Sequence, residues 1–330
     1  MISEKIAVAI NGVVFDEYTS LDITGDIYTI GASLTLQGTN PQLRQIPVGA
    51  MVAAQINSES VFAGMVETVA ANYSKGATSV TVEATDLLGY LRRVQINRFK
   101  TYQNVRFMSI VRDIFARANV APVLNPVAGS TDVTAIIVDE FSVERGQSVA
   151  DALSSLCVNN GVICFCDNSG AITIAQPKGA GAMPRHKIAV GDDKVLSAEY
   201  RVSSVNSWRV VQAHKQGEKL SAAKTVFGAD MYWLDRLPCF CPSADANRTK
   251  ATAVAKLNEC RNAGFSYTIN TAGVRCGNGL VWQINEKCIV ADAHLTEAQG
   301  SQLYINSRNI SFSKDRGTVT TIGMGMEPVK

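Results

Sequence analysis

The chain has 330 residues, 46% hydrophobic and 18% charged, with 31 Lys and Arg against 29 Asp and Glu for a formal net charge of +2. That length holds two or three domains and buries enough surface to fold without staples. The composition excludes bulk disorder, and a near-neutral charge with no run of like charges excludes the electrostatic footprint of a duplex-DNA binder.

In chain order, the first ninety-odd residues predict short strands separated by turn chemistry. Ile6–Ile10 is a strand ending at the turn dipeptide Asn11-Gly12. Ser20–Ile23 and the alternating Tyr28–Leu36 follow, then Met51–Ile56, a hairpin loop at residues 57–60, and Val61–Val69. Gly76 turns the chain into Ser79–Thr85. The N-terminal MISEKIAVAI carries Glu4 where a signal peptide needs basic residues, and no long apolar stretch follows. A soluble protein made in a cytoplasm is therefore expected.

The middle changes period. VRFMSIVRDIFARANV sets Phe107, Ile110, Val111, Ile114, Phe115 and Ala118 on one helical face. Asn104 is its expected N-cap, and Pro122 lies past its end. A second helix starts at Ser148 with Asp151 three residues on, close to a capping box, and ends at Gly161. A hairpin follows, VICFC and AITIA across Asp167-Asn168-Ser169-Gly170. After a Gly- and Pro-rich linker at 176–184, VLSAEYRV and SWRVVQAH predict strands. A third helix is expected within Ser243–Ala263, its apolar line running through Ala251, Val254, Leu257 and Cys260. Strands resume from Phe265.

The eight cysteines are Cys157, Cys164, Cys166, Cys239, Cys241, Cys260, Cys276 and Cys288. In a chain of this size they read as reduced, small core residues. A zinc set of Cys164, Cys166, Cys239 and Cys241 is the alternative, although the Cys-x-Cys spacing is shorter than ordinary zinc pairs.

Two stretches echo each other. ANYSKGATSVTVEATD (71–86) and ISFSKDRGTVTTIGMG (310–325) both carry aromatic-Ser-Lys, a Gly-containing turn and an alternating Thr/Val strand. Each is preceded by a Gly-led turn and a segment ending Gln-Ile-Asn, at 48–57 and 277–285. The same landmarks in the same order point to a duplicated β-barrel with the α+β unit between the copies. The expected fold is mainly β, with two barrels per protomer and a small helix/hairpin insertion. The boundaries are 1–95 for the first barrel, 96–176 for the α+β insertion, and 177–330 for the second barrel with one inserted helix.

The segments ERGQSVADALSSLCVNNGVICFCDNSGAITIAQP, FAGMVETVAANYSKGATSVTVEATDLLGYLRR and YINSRNISFSKDRGTVTTIGM resemble baseplate hub proteins of Mu-like contractile-tailed phages. The resemblance implies a homotrimer whose paired barrels are similar to the tail-tube subunit and close a hollow pseudo-sixfold ring in the virion baseplate. One face would meet the hexameric tail tube or distal tube-joining proteins, the other the trimeric membrane-piercing spike, with baseplate wedge proteins around it. DNA would pass only transiently through the lumen. The family's first barrel is discontinuous, which implies that strands near 193–214 pack back onto it. The chain stops soon after the second hairpin, so the spike is expected as a separate protein.

No catalytic constellation emerges. His186, His214 and His294 are scattered, and Gly-x-Ser-x-Gly, Walker and dinucleotide patterns are missing. Asp192-Asp193 and Asp22/Asp26 are poor candidates for paired acids, so a cell-wall-degrading enzyme is a weaker alternative to the hub than another tube-like tail component, a distal tail or tube-capping protein. No catalytic, cofactor-binding or metal-binding residue is assigned, and no cofactor is expected. Arg92, Arg93, Arg98 and Lys100, interleaved with Tyr90, Phe99 and Tyr102, read as a solvated junction or as a contact with a partner or with passing DNA. Trp208, Trp233 and Trp282 read as core residues or interface anchors.

Overall fold

Turn residues in left-handed backbone set the first hairpins. The computed structural model describes residues 6–74, 77–117, 124–126, 133–178, 182–203, 210–215, 224–227, 239–243, 249–293, 301–326 and 328. The N-terminal strands are β1 (Ala7–Ile10), β2 (Val13–Phe15), β3 (Ser20–Asp26), β4 (Ser33–Gly38), β5 (Met51–Ile56), β6 (Glu59–Ser74) and β7 (Ala77–Thr85). Asn11 (φ 48°) and Gly12 (φ 82°) join β1 to β2, and Asn57 (φ 48°) and Ser58 (φ 69°) join β5 to β6. Two consecutive positive-φ residues give a turn whose twist matches that of the flanking strands. The strand expected at Tyr28–Leu36 forms only from Ser33. Asp26 Oδ1 accepts the backbone N–H of Tyr28 at 2.6 Å and of Thr29 at 3.2 Å, which curls the chain away from the ladder. Leu21, Ile23, Leu34, Leu36, Val52, Ala54, Ile56, Val80, Val82 and Ala84 alternate into one aliphatic core.

The middle unit comprises α1 (Leu87–Leu91), β8 (Lys100–Arg106), α2 (Phe107–Arg117), β9 (Leu124–Pro126), β10 (Ile137–Val143), α3 (Val149–Asn159), β11 (Ile163–Cys166) and β12 (Ile172–Ala175). The expected stripe of α2 is buried from Phe107 to Phe115, while Ala118 lies outside the described residues. Asn104 is not the cap of α2. It sits at φ 54° inside β8, because the ladder with β10 holds the chain extended as far as Arg106. Ser148 does cap α3, accepting the Asp151 N–H at 3.0 Å while its hydroxyl donates to Asp151 Oδ2 at 2.6 Å. The short α1 was not anticipated. Buried Asp86 caps it, accepting the Gly89 N–H at 2.8 Å, and takes the Ala32 N–H at 2.7 Å with its other oxygen.

The C-terminal part contains β13 (His186–Ala189), β14 (Val195–Val202), β15 (Val210–Lys215), β16 (Lys224–Phe227), β17 (Cys239–Ser243), α4 (Thr249–Gly264), β18 (Phe265–Ala272), β19 (Glu286–Ala291), β20 (Ser301–Ser313) and β21 (Gly317–Gly325). Of the segment near 193–214, β14 pairs with β18 rather than with any of β1–β7. β15 centres a small sheet with β16 and β17. Ala253, Leu257 and Cys260 of α4 bury against Val211, Ala213 and Cys241 there.

One 13-stranded sheet dominates the molecule. It runs β14-β18-β21-β20-β3-β4-β7-β6-β5-β1-β2, with β19 also on β20 and β13 on β19. Two six-strand runs in it have the same order: β3-β4-β7-β6-β5-β1 and β14-β18-β21-β20-β19-β13. Corresponding strands also come in the same chain order. The runs differ at one end, where β1 is antiparallel to β5 but β13 is parallel to β19. Of the two sequence echoes, the hairpin pair is matched by β6-β7 and β20-β21. The Gln-Ile-Asn landmarks match at their asparagines, since Asn57 (φ 48°) and Asn285 (φ 58°) are both left-handed. The residues before Asn285 form a single bridge, Arg275 to Val281, in place of a strand.

Candidate functional site

The two runs meet where β20 lies antiparallel on β3, from Ser307 opposite Asp26 to Ser313 opposite Ser20. Side chains on this seam alternate between faces. Ile310 and Phe312 reach into the N-terminal core, where the Phe312 ring meets Tyr18 edge-on at 5.1 Å. Arg308 shares their face, so strand parity drives a guanidinium into the interior.

Arg308 is buried and ties three parts of the chain together. Its Nη1 donates to Asn168 Oδ1 and to the Trp282 carbonyl, each at 2.8 Å, and its Nη2 donates to the Val61 carbonyl at 2.8 Å. These acceptors belong to the turn of the α+β unit, to the loop before β19, and to β6. Burial lowers its pKa to about 10, so it stays charged at neutral pH. Neutral oxygens surround the charge and their lone pairs are consumed by it.

Neighbouring contacts reinforce the same junction. Ser60 Oγ donates to the Asn168 carbonyl at 2.5 Å, and Arg275 pairs with Glu59. Asp167 Oδ1 accepts the N–H groups of Ser169 at 2.9 Å and Ala171 at 3.1 Å, holding the turn in shape. Gly170 (φ 84°) presses so close to β6 that a Cβ there would lie 2.9 Å from the Ala63 Cβ. Gly31 (φ 89°) likewise meets Gly89 of α1, and a Cβ on Gly31 would stand 2.7 Å from the Gly89 Cα. Glycine is needed at both approaches.

The remaining candidates from sequence disperse. His186 is buried beside Trp282, ring centroids 5.1 Å apart, with Nδ1 3.2 Å from Cys276 Sγ. Burial, with help from Arg185 and Lys178, pushes its pKa down to about 4. His214 lies in β15. His294, Trp208 and Trp233 lie outside the described residues. Asp192 turns back to accept the Ala189 N–H at 3.3 Å, and Asp26 serves the turn described above, so one acid of each pair works on backbone. Cys164 and Cys166 stand on β11, Cys239 and Cys241 on β17, in different sheets. All eight cysteines are free thiols. Among the described residues no three His, Cys, Asp or Glu gather as a metal set, and no helix is long and apolar enough to cross a membrane.

The basic cluster is spread over the junction between α1 and β8. Arg93 pairs with Glu67 at 2.9 Å. Lys100 pairs with Asp113 at 2.7 Å and lies over the Tyr102 ring. Asp113 also accepts from Tyr102 at 2.6 Å and from Arg117 at 2.9 Å. Burial opposes its charge, but Lys100, Tyr102 and Arg117 outweigh that and hold its carboxyl well below the usual range. Arg308 was missed in the sequence reading. The available signal was its alternation with Ile310 and Phe312, two and four residues on, which places a cation on a core face.

The comparisons with known proteins fit this geometry. Residues 5–86 match the family described as Mu phage baseplate assembly protein GpP-like, N-terminal. No curated protein matches the sequence. A tail protein from Neisseria meningitidis aligns with a TM-score of 0.79 at 17% identity, over 97% of this chain and 96% of its own. The 43 kDa tail protein of prophage MuSo2 from Shewanella oneidensis aligns with a TM-score of 0.78 at 17% identity, over 98% of each chain. An Escherichia coli component of the type VI secretion system, described as structurally similar to T4 phage tail proteins gp27 and gp5, aligns with a TM-score of 0.62 at 11% identity, over 98% of this chain and 79% of its own. The resemblance to Mu-like phage baseplate proteins is thus shown for residues 5–86, and the likeness to the solved structures is one of fold across nearly the whole chain.

Proposed function

We propose that the protein is the structural hub of a contractile phage baseplate, a homotrimer whose two barrel-like halves give six similar sectors around a lumen. The observation that carries this reading is the repeated six-strand order within one chain. Three copies of a twice-repeated unit present near-sixfold symmetry to a hexameric tail tube and true threefold symmetry to a trimeric spike. The work is geometric. The chain matches two symmetries, holds the tube to the spike with wedge proteins around it, and lines the channel through which DNA leaves. The α+β unit of residues 96–176 rides outside the repeat, fastened by Arg308 through Asn168.

The fold likeness to tail proteins and to a type VI component supports this. The test is light scattering after size exclusion, alone and mixed with the neighbouring spike and tube proteins of the same phage. A particle of three times 35.4 kDa, ring-shaped by electron microscopy, is the expected result. A chain that stays monomeric with every tail neighbour overturns the reading.

A further inference from the structure

We propose that the outer edge of β6 at Val69–Tyr73 pairs antiparallel with the outer edge of β14 at Ala198–Val202 of a second copy of this chain, repeating between molecules the seam that β20 and β3 make within one. The proposal deepens the ring reading and rests on it only for the number of copies.

The correspondence follows from the ladders. β6 and β20 occupy the same place in the two runs. Each carries an irregularity against its hairpin partner, between Val66 and Thr68 in β6 and between Ile305 and Ser307 in β20. Each then runs seven residues to an aromatic-Ser pair, Tyr73-Ser74 or Phe312-Ser313. Thr68–Ser74 therefore corresponds to Ser307–Ser313, the segment zipped to β3. In the same way β3 corresponds to β14. Both pair with the strand that neighbours the last strand of their run, β4 or β18, and those registers set Ser20 against Ser197 and Thr24 against Arg201.

The internal pairs Arg308–Gly25, Ile310–Ile23 and Phe312–Leu21 then translate into Val69–Val202, Ala71–Tyr200 and Tyr73–Ala198. All three translated pairs are apolar and share one face. The other face would bring Ala70 to Arg201 and Asn72 to Glu199.

Exposure separates the two situations. Every residue of Ser307–Ser313 is buried or half-buried, whereas Ala70–Tyr73 are exposed. Phe312 packs on Tyr18, but Tyr73 is 63% exposed and Val202 is 65% exposed. Among the described residues no strand pairs with the outer edge of β14, nor with β6 beyond Met65 on that side. Open strand edges of this length are normally covered. β14 ends the sheet path and β6 lies well along it, so copies stacked head to tail use both edges at every joint. Such heterologous contacts generate a ring when the rotation closes.

The test places Ala71→Cys and Tyr200→Cys in one chain and oxidises it. Covalent dimers and trimers on a non-reducing gel are expected for this double variant. Neither single variant should form them, nor should Ala70→Cys with Tyr200→Cys, whose side chains point to opposite faces. Separately, Ala71→Lys, on an exposed strand, should lower the solution mass about threefold without moving the thermal midpoint of the monomer. A wild-type trimer whose designed pair does not cross-link and whose lysine variant keeps its mass overturns the edge pairing and leaves the ring reading standing. A wild-type chain that remains monomeric with no cross-linked ladder also overturns the edge pairing, and the ring reading is then decided by the mixing experiment with spike and tube.

Discussion

The two runs of the sheet share a strand order but not a cement. The N-terminal core is mostly aliphatic, built from Leu, Ile and Val on alternating positions with Phe15, Tyr18 and Phe62 among them, and Tyr18 donates to the Ile6 carbonyl at 2.7 Å inside it. The C-terminal core sets Phe265, Tyr267 and Trp282 among aliphatic and sulfur side chains and is threaded with polar groups. Tyr267 donates to Asp292 at 2.8 Å, Tyr304 to Asn285 at 2.8 Å, and Lys178 pairs with Glu286 at 2.7 Å, beside the buried His186–Cys276 contact. One topology is thus reached by two chemistries. Period-two alternation and turn placement specify the order, and the particular core residues specify how each half responds to its surroundings.

The largest expected effect breaks the joint between the halves. Arg308→Ala strands three buried oxygens and should cost about 3–5 kcal/mol in urea unfolding. Loss below about 1 kcal/mol would mean that water replaces the guanidinium. Next, Leu36→Ala tests the aliphatic half alone and should cost about 2–5 kcal/mol, with no change in how stability depends on pH.

The third prediction sharpens the contrast through pH. His186 titrates near 6.5 when unfolded and about 4 when folded, so between those values the unfolded chain binds the extra proton. Stability should therefore be unaffected by this group above pH 6.5 and fall as pH drops from 6.5 to 4, by up to about 3 kcal/mol. His186→Gln should flatten that part of the profile. An unchanged profile would show that His186 is not held neutral. The smallest effect is Tyr267→Phe, which removes one donor to Asp292 and should cost about 1–2 kcal/mol by thermal unfolding.

Much of this was legible in the residues. Asn11-Gly12, the Ser148 cap and the β11-β12 hairpin follow from local chemistry, and the structure has them where the sequence puts them. The echo of aromatic-Ser-Lys hairpins pointed to a repeat, and two six-strand runs do share one order, although their ends differ in direction. Local rules failed where distant chain took over. Asn104 lost its cap to the β8-β10 ladder, and α1 depends on Asp86 bonding to Ala32, fifty-four residues away. Arg308 is the extreme case, since its partner carbonyl at Val61 is 247 residues distant and nothing near it in sequence announces the contact.

That separation has a consequence for how the molecule is made. A ribosome adding about 5–20 residues per second takes roughly 12–50 s to travel those 247 residues. Throughout that interval β3 is synthesised and ready, yet its eventual neighbour does not exist. The N-terminal strands must therefore wait with a bare margin during translation. That margin closes only when the last strands have emerged and β20 has zipped onto β3, so the first run stays incomplete until synthesis is nearly finished.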